Sequence, residues 1–352
     1  MALCLGLAIV LGGCARTSDA TSIGGIALDG DSLFVTTIHG RLLRMTLEAR
    51  ERRLGFPAAI EWQYPTEGAS GLGVIYGLPA IGAGGVYVAT HGGSLFGVDD
   101  NAQRRWEFHA AGNLVGTPII ASDRVIVGCT DGSLYAIDAA TGRQLWRFTS
   151  PAAIWASATA GADAVYIGDI KGNLYAIDLE TGALRWTFRA EGAIVGAPAV
   201  AGDAIYVGTL ARHLYAIDTA GQERWRFSAG NGFWAQPLVV QDVVYAPGLD
   251  SNLYALDAAS GAQRWAFAAG PFTGRPIVVG NTIVAGARNG KVYGIDPATG
   301  WQRWASDVGG PVAAPLVNRG NAVYGVTLGA VQTLFSIDAT GGEQRWAFRP
   351  AL

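Results

Sequence analysis

Few residues in this chain could do covalent or metal chemistry. The four histidines are His39, His91, His109 and His213. His39 and His91 occupy corresponding turns of two successive sequence units, so a metal pair is one reading and solvated turn residues the other. No HExxH, CxxC, GxSxG or phosphate-loop string occurs, so the usual signatures of metal hydrolysis, nucleophilic catalysis and nucleotide binding are missing from the sequence. A different chemistry comes from aromatic and cationic residues at a repeated spacing. Three positions ahead of a recurring proline mark stand Tyr76, Trp155 and Trp234, with Val115, Val195, Thr273 and Val312 in the other copies. Phe233, Gln236, Phe272 and Arg275 are adjacent, and Lys171, Arg212, His213 and Arg288 join His91 in turns expected on the same face. Aromatics with arginines make the composition of a protein-binding hot spot. They would equally suit stacking on a sugar ring, or could simply plug a channel.

The elements that must position these residues are repeats. Tryptophans stand at 62, 106, 146, 186, 225, 265, 304 and 346, spaced 39 to 44 residues apart. Trp106, Trp146, Trp186, Trp225, Trp265, Trp304 and Trp346 each follow an aspartate by seven or eight residues, from Asp99 and Asp138 to Asp338. The first copy has Thr46 in that place. The proline mark is Pro79, Pro118, Pro198, Pro237, Pro276 or Pro315, replaced by Ile26 and Ala158 in the remaining copies. Within 113–149, VGTPIIA, RVIVG, SLYAID and QLWRF read as four short strands separated by Gly/Asp turns. A meander of four strands cannot bury both faces alone, but neighbours stacked round an axis can, and a period near 40 suits propeller blades. The expected fold is all-β: an eight-bladed propeller of four-stranded antiparallel blades.

The marker residues then acquire physical tasks. Asp138 ends a third strand and is suited to accept backbone N–H groups of the next turn. Gly142 is suited to a positive φ in that turn. Trp146 is expected to lie between blades as a docking residue. Small residues two ahead of the proline mark, such as Gly77, Gly116 and Gly196, are expected where eight strands crowd an axis.

Composition bounds the rest. A chain of 352 residues that is 50% hydrophobic and carries a net charge of −3 is neither disordered nor equipped with the basic face that grips nucleic acid. Residues 3–13 form an apolar run too short to span a bilayer. It ends in Leu11-Gly12-Gly13-Cys14, which resembles a bacterial lipoprotein signal in which the Cys14 thiol takes the lipid. The resulting division is a signal at 1–13, a lipidated Cys14 with a polar tether at 14–21, and a propeller at 22–349. Removal of Cys4 and lipidation of Cys14 would leave Cys129 alone, so no intrachain disulfide is expected.

The strings AIDAATGRQLW at 136–146 and AIDLETGALRW at 176–186 resemble the tryptophan-docking repeat of quinoprotein-like propellers. ALDAASGAQRW at 255–265 and GIDPATGWQRW at 294–304 are looser copies. The resemblance covers nearly all of 22–349 and separates this repeat from WD40, whose Trp-Asp closes the third strand. One branch of quinoproteins comprises dehydrogenases that hold pyrroloquinoline quinone with calcium. This chain lacks the adjacent cysteines common there, and most of its aspartates are engaged in turns. The other branch is non-catalytic, and the combined lipoprotein signal and repeat is similar to the BamB family of outer-membrane β-barrel assembly. That resemblance implies an envelope scaffold facing the periplasm, anchored by its lipid alone, monomeric as a propeller, binding a BamA-like subunit and needing no cofactor or metal. A propeller binding a small molecule or glycan, and a dehydrogenase-like protein, stand as alternatives.

Overall fold

The computed structural model describes residues 24–37, 39–47, 60–66, 68–82, 84–329 and 332–349. The signal run, Cys4, Cys14 and the tether lie outside the described residues. Eight four-stranded antiparallel sheets follow one another along the chain, each made of four consecutive strands, with no helix among the described residues. The first sheet runs from Gly25–Asp29 to Ile60–Tyr64 and the last from Val317–Arg319 to Gln344–Phe348. Every blade is thus sequence-contiguous, and the ring closes without a swapped strand. Closure rests on packing: Ile26, Leu33, Val35 and Leu47 of blade 1 share one cluster with Tyr324, Val326 and Trp346 of blade 8. Gln332 Nε2 adds a buried hydrogen bond to the Thr36 carbonyl across the same seam.

The second and third strands alternate in sequence yet are buried on both faces. Val165, Ile167 and Tyr175 pack toward blade 3, while Tyr166, Leu174 and Ala176 pack toward blade 5. This doubly buried position explains the apolar composition, because each face of a blade meets a neighbour.

The outer strand carries the docking residue. Trp146 Nε1 donates to the Leu179 carbonyl of the next blade at 3.0 Å, and Trp62, Trp106, Trp186, Trp225, Trp265 and Trp304 make the corresponding bond. The aspartate of the third strand organises the turn that receives this indole. Asp138 Oδ1 accepts from the Thr141 amide and hydroxyl at 2.7 and 2.6 Å. Packing of the indole with one cross-blade hydrogen bond recurs at seven seams, so seam stability is distributed round the ring.

A second use of the same aspartates was not read from the sequence. The residue before the tryptophan is arginine in six blades. Arg185 ion-pairs with Asp163 and Asp178, each at 2.7 Å, and Arg264 with Asp242 and Asp257 at 2.6 and 2.7 Å. Arg303 and Arg345 reach Asp296 and Asp338. The Arg303 guanidinium, with help from Thr299, holds the Asp296 carboxyl down at about 2.

The innermost strand is shorter than VGTPIIA. It spans Ile119–Ala121, with Pro118 just ahead of it. Upstream of that proline the backbone pairs sideways rather than in a ladder. The Thr117 amide donates to Ser157 Oγ of the next blade at 2.8 Å. The small residues there are required by contact: a Cβ on Gly116 would stand 2.7 Å from the Ala156 carbonyl oxygen, and one on Gly196 2.4 Å from that of Trp234.

Candidate functional site

The segments leading into the first strands and the turns between second and third strands meet on one face. The His91 amide donates to the Val74 carbonyl, Ile170 to Ala153, Leu210 to Ala193 and Arg288 to Pro271. Bonds of this kind place the approach segment beside the turn in blades 2 to 8 and build the rim of the axial channel.

Inside the rim is a cavity of about 410 Å³ lined by Tyr76, His91, Asn113, Val115, Trp155, Val195 and Trp234 among others. The aromatics on blades 2, 4 and 6 therefore do converge. Tyr76 stands edge-on to the His91 ring at 5.4 Å, and Asn113 Nδ2 lies 3.1 Å from His91 Nε2. Burial lowers the His91 pKa below its ordinary value, so the ring is neutral at pH 7 and accepts the Asn113 hydrogen bond. No group of three or more metal-ligating side chains occurs among the described residues.

Deeper on the axis lies a second space of about 450 Å³, lined in part by Thr117, Ser157, Thr159, Trp234, Gln236, Thr273 and Arg275. Thr117, Ser157, Val195 and Trp234 line both cavities, so the two adjoin along the channel. Residues one ahead of the proline mark form a ring around this space. Thr117 Oγ1 accepts from the Leu78 amide, Ser157 Oγ accepts from the Thr117 amide, and Gln236 Nε2 donates to the Pro198 carbonyl at 2.7 Å. Gln236 is thereby a strut across the channel rather than a rim contact.

The structure divides the remaining expected rim residues. Lys171 and Arg212 are exposed in the mouth-face turns, Arg212 with φ +74°, and Arg288 is half-buried there. Arg275 lies in the deeper space instead. Phe233 and Phe272 are not rim residues at all. They are 1% and 0% exposed and belong to the clusters between blades 5 and 6 and between blades 6 and 7. Extended backbone sends neighbouring side chains to opposite sides, so Trp234 faces the channel while Phe233 faces the seam. Val312 is likewise buried, because the approach segment of blade 8 is one residue shorter and Val312 takes the place held by Phe272 in blade 7. Both amides make the same bond, Phe272 to Gly248 and Val312 to Ala287.

Sequence reasoning missed a partly exposed apolar set at the turns: Ile170, Leu210, Leu249 and Leu328. The signal was available, since each stands twelve or thirteen residues after the proline mark, where His91, Thr130 and Arg288 stand in other blades.

Comparison with known proteins agrees with this architecture. A family model described as "Outer membrane protein assembly factor BamB" matches residues 59–187, 130–267 and 249–351. The outer membrane protein assembly factor BamB of Pseudomonas aeruginosa is 31% identical over 126 residues, which are 35% of this chain and 29% of that protein. The chain's match thus spans under a third of that relative's length. The crystal structure of BamB from Moraxella catarrhalis superposes with a TM-score of 0.71 at 22% identity, covering 90% of this chain and 91% of that one. A computationally designed protein, Ika8, superposes with a TM-score of 0.74 at 13% identity over 94% of this chain and 96% of its own, which places the likeness in the fold. The repeat, its eight contiguous blades and a family match running from residue 59 to 351 together make this chain a member of the BamB family of outer membrane protein assembly factors.

Proposed function

We propose that the chain is a non-catalytic envelope scaffold that docks a protein partner on its channel-mouth face, in the manner its family name suggests. The partner of this reading is a BamA-like subunit. The observation that carries it is the contrast between two sets of cations. Arg185, Arg224, Arg264, Arg303 and Arg345 are all tied to carboxylates. Lys171, Arg212 and Arg288 on the mouth face have no side-chain partner among the described residues, and they flank the apolar Trp155, Ile170 and Leu210. An apolar centre with unpaired cations at its edge is the pattern of an interface core and rim. A quinone held with calcium does not fit these walls. Neither cavity has a carboxylate in its lining, whereas calcium takes carboxylate oxygens.

In this reading residues 1–13 are removed, Cys14 carries the lipid, 14–21 tether the propeller of 22–349, and the chain faces the periplasm. Crosslinkers placed at 171 and 212 should capture the partner in cells. Trp155→Ala with Leu210→Ala should abolish capture while leaving the melting temperature within a few degrees. Undiminished capture by that double variant sinks the assignment of the mouth face. Cys14→Ala should release the chain from the membrane fraction, and its retention there would remove the lipid anchor from the reading.

A further inference from the structure

Arg275 occupies a place in the axial ring whose polar equivalents are all engaged. Thr117, Ser157 and Gln236, at the same position of blades 3, 4 and 6, each bond to the backbone of a neighbouring blade. Arg275 of blade 7 makes no hydrogen bond, ion pair or ring contact with any described residue. Its side chain reaches channel water, yet the ring of first strands around it desolvates it and draws its pKa below the usual arginine value. It remains charged at neutral pH. A second orphan adjoins it: Thr273 Oγ1, in a residue 7% exposed that also lines this space, has no hydrogen-bond partner. No aspartate or glutamate lines either cavity, so nothing in the walls neutralises the guanidinium.

An unpaired guanidinium that still reaches channel water costs the fold little and is free to take an anion entering the channel. The guanidinium fork matches a carboxylate in bidentate fashion. The remaining walls say what should be attached to that carboxylate. Trp234 lines both the mouth cavity and the deeper one and offers a ring surface on the route to Arg275. Gln236 spends its amide N–H groups on Pro198 and Thr159, which leaves its Oε1 to accept from a ligand hydroxyl. A space of about 450 Å³ lies within the usual range for small-molecule sites.

We infer that the axial channel binds a carboxylate-bearing sugar of the uronic-acid class, with its carboxylate on Arg275 and its ring against Trp234. This site adjoins the mouth face but is tested on the purified chain with no protein partner present, so either reading can fail alone. The probes are D-glucuronate, D-glucose and inorganic phosphate, titrated by calorimetry at low salt. Glucuronate should bind, and glucose should bind at least tenfold more weakly. Arg275→Met should weaken glucuronate at least tenfold and leave the melting temperature unchanged, since Arg275 holds nothing in the fold. Trp234→Ala should weaken glucuronate as well. Absence of glucuronate binding in the native chain, or equal affinity for glucose, overturns the inference without recourse to any variant. Phosphate binding as tightly as glucuronate would overturn the assignment of a sugar, because a bare anion would then satisfy the site.

Discussion

In six blades, from Gly142 to Gly342, the turn after the third strand carries a glycine with two separable duties, and substitution of Gly182 can weigh them. Its φ is +73°, where an alanine is strained, and a Cβ there would stand 2.7, 2.8 and 2.9 Å from Cδ2, Cε3 and Cγ of Trp146. The indole is 8% exposed and cannot retreat without disturbing its hydrogen bond to the Leu179 carbonyl. Gly202 is the control, with φ +58° and no atom within 4 Å of a built Cβ. Alanine at 202 therefore meets only the left-handed backbone penalty, about 1–2 kcal/mol. Alanine at 182 meets that penalty plus overpacking of about 1–3 kcal/mol, for a total of roughly 2–5 kcal/mol. Urea unfolding followed by tryptophan fluorescence measures both, with unchanged m-values required before midpoints are compared. A cycle with Trp146→Ala isolates the contact. In that background the Gly182→Ala cost should fall to that of Gly202→Ala, a coupling of about 1–3 kcal/mol. Equal costs at 182 and 202 in the native background would refute the claim that this glycine is selected by the indole as well as by the turn.

Two further outcomes follow from buried groups. Asp169 is fully buried; burial alone would raise its pKa, but hydrogen bonds from Asn173, Tyr175 and the Lys171 amide outweigh it and the net shift is downward. A carboxylate with a depressed folded pKa stabilises above its unfolded value near 3.9 and loses that contribution as pH falls through the folded pKa. Asp169→Asn should therefore cost about 1–3 kcal/mol at pH 7, and the gap to the native chain should narrow below about pH 4; a gap independent of pH would contradict the shift. Burial pushes the Cys129 thiol up to about 11. Only about one thiol in a thousand is then ionised at pH 8, so in a Cys4→Ser, Cys14→Ser chain a disulfide reagent should label Cys129 only after urea unfolding. Labelling of the folded chain at the unfolded rate would contradict that burial.

The fold was legible because its signals repeat in register. The docking tryptophan recurs eight times, its aspartate seven and the turn glycine six, and each has a task that the blade architecture explains. The site was only partly legible, because it sits where copies differ. Phe233 and Phe272 stand out as aromatics, and their proximity to Trp234 and Arg275 suggested a common rim. One column further back the equivalents are Ile75, Leu114, Ile154 and Ile194, all buried. That column is a core column, and two aromatic members do not change its direction. The arginine that precedes the tryptophan in six blades escaped for the opposite reason. Its partner aspartate already had a turn to explain it, and a carboxylate has two oxygens. In blade 6, Asp257 gives Oδ1 to the turn at Ser260 and Oδ2 to Arg264.

This division bears on where a partner can gain affinity. On the face of the third-to-fourth strand turns, an approaching surface would have to compete with ion pairs such as Arg264 with Asp242 and Asp257 for the same guanidinium. Exposed pairs of this kind contribute little to stability, but they leave little unmatched charge to steer a partner. On the mouth face Lys171, Arg212 and Arg288 carry charge without an internal partner, and Trp155 and Leu210 keep apolar surface in water. An incoming acidic and apolar surface there breaks no existing bond. The eightfold repeat gives every blade the same backbone on a given face, so what distinguishes one blade from the next there lies in side chains that the repeat does not require. Folding alone is served there by a small polar residue, as Thr130 shows in blade 3, and the proposed docking role accounts for the departure of Ile170, Leu210 and Leu249 from that pattern.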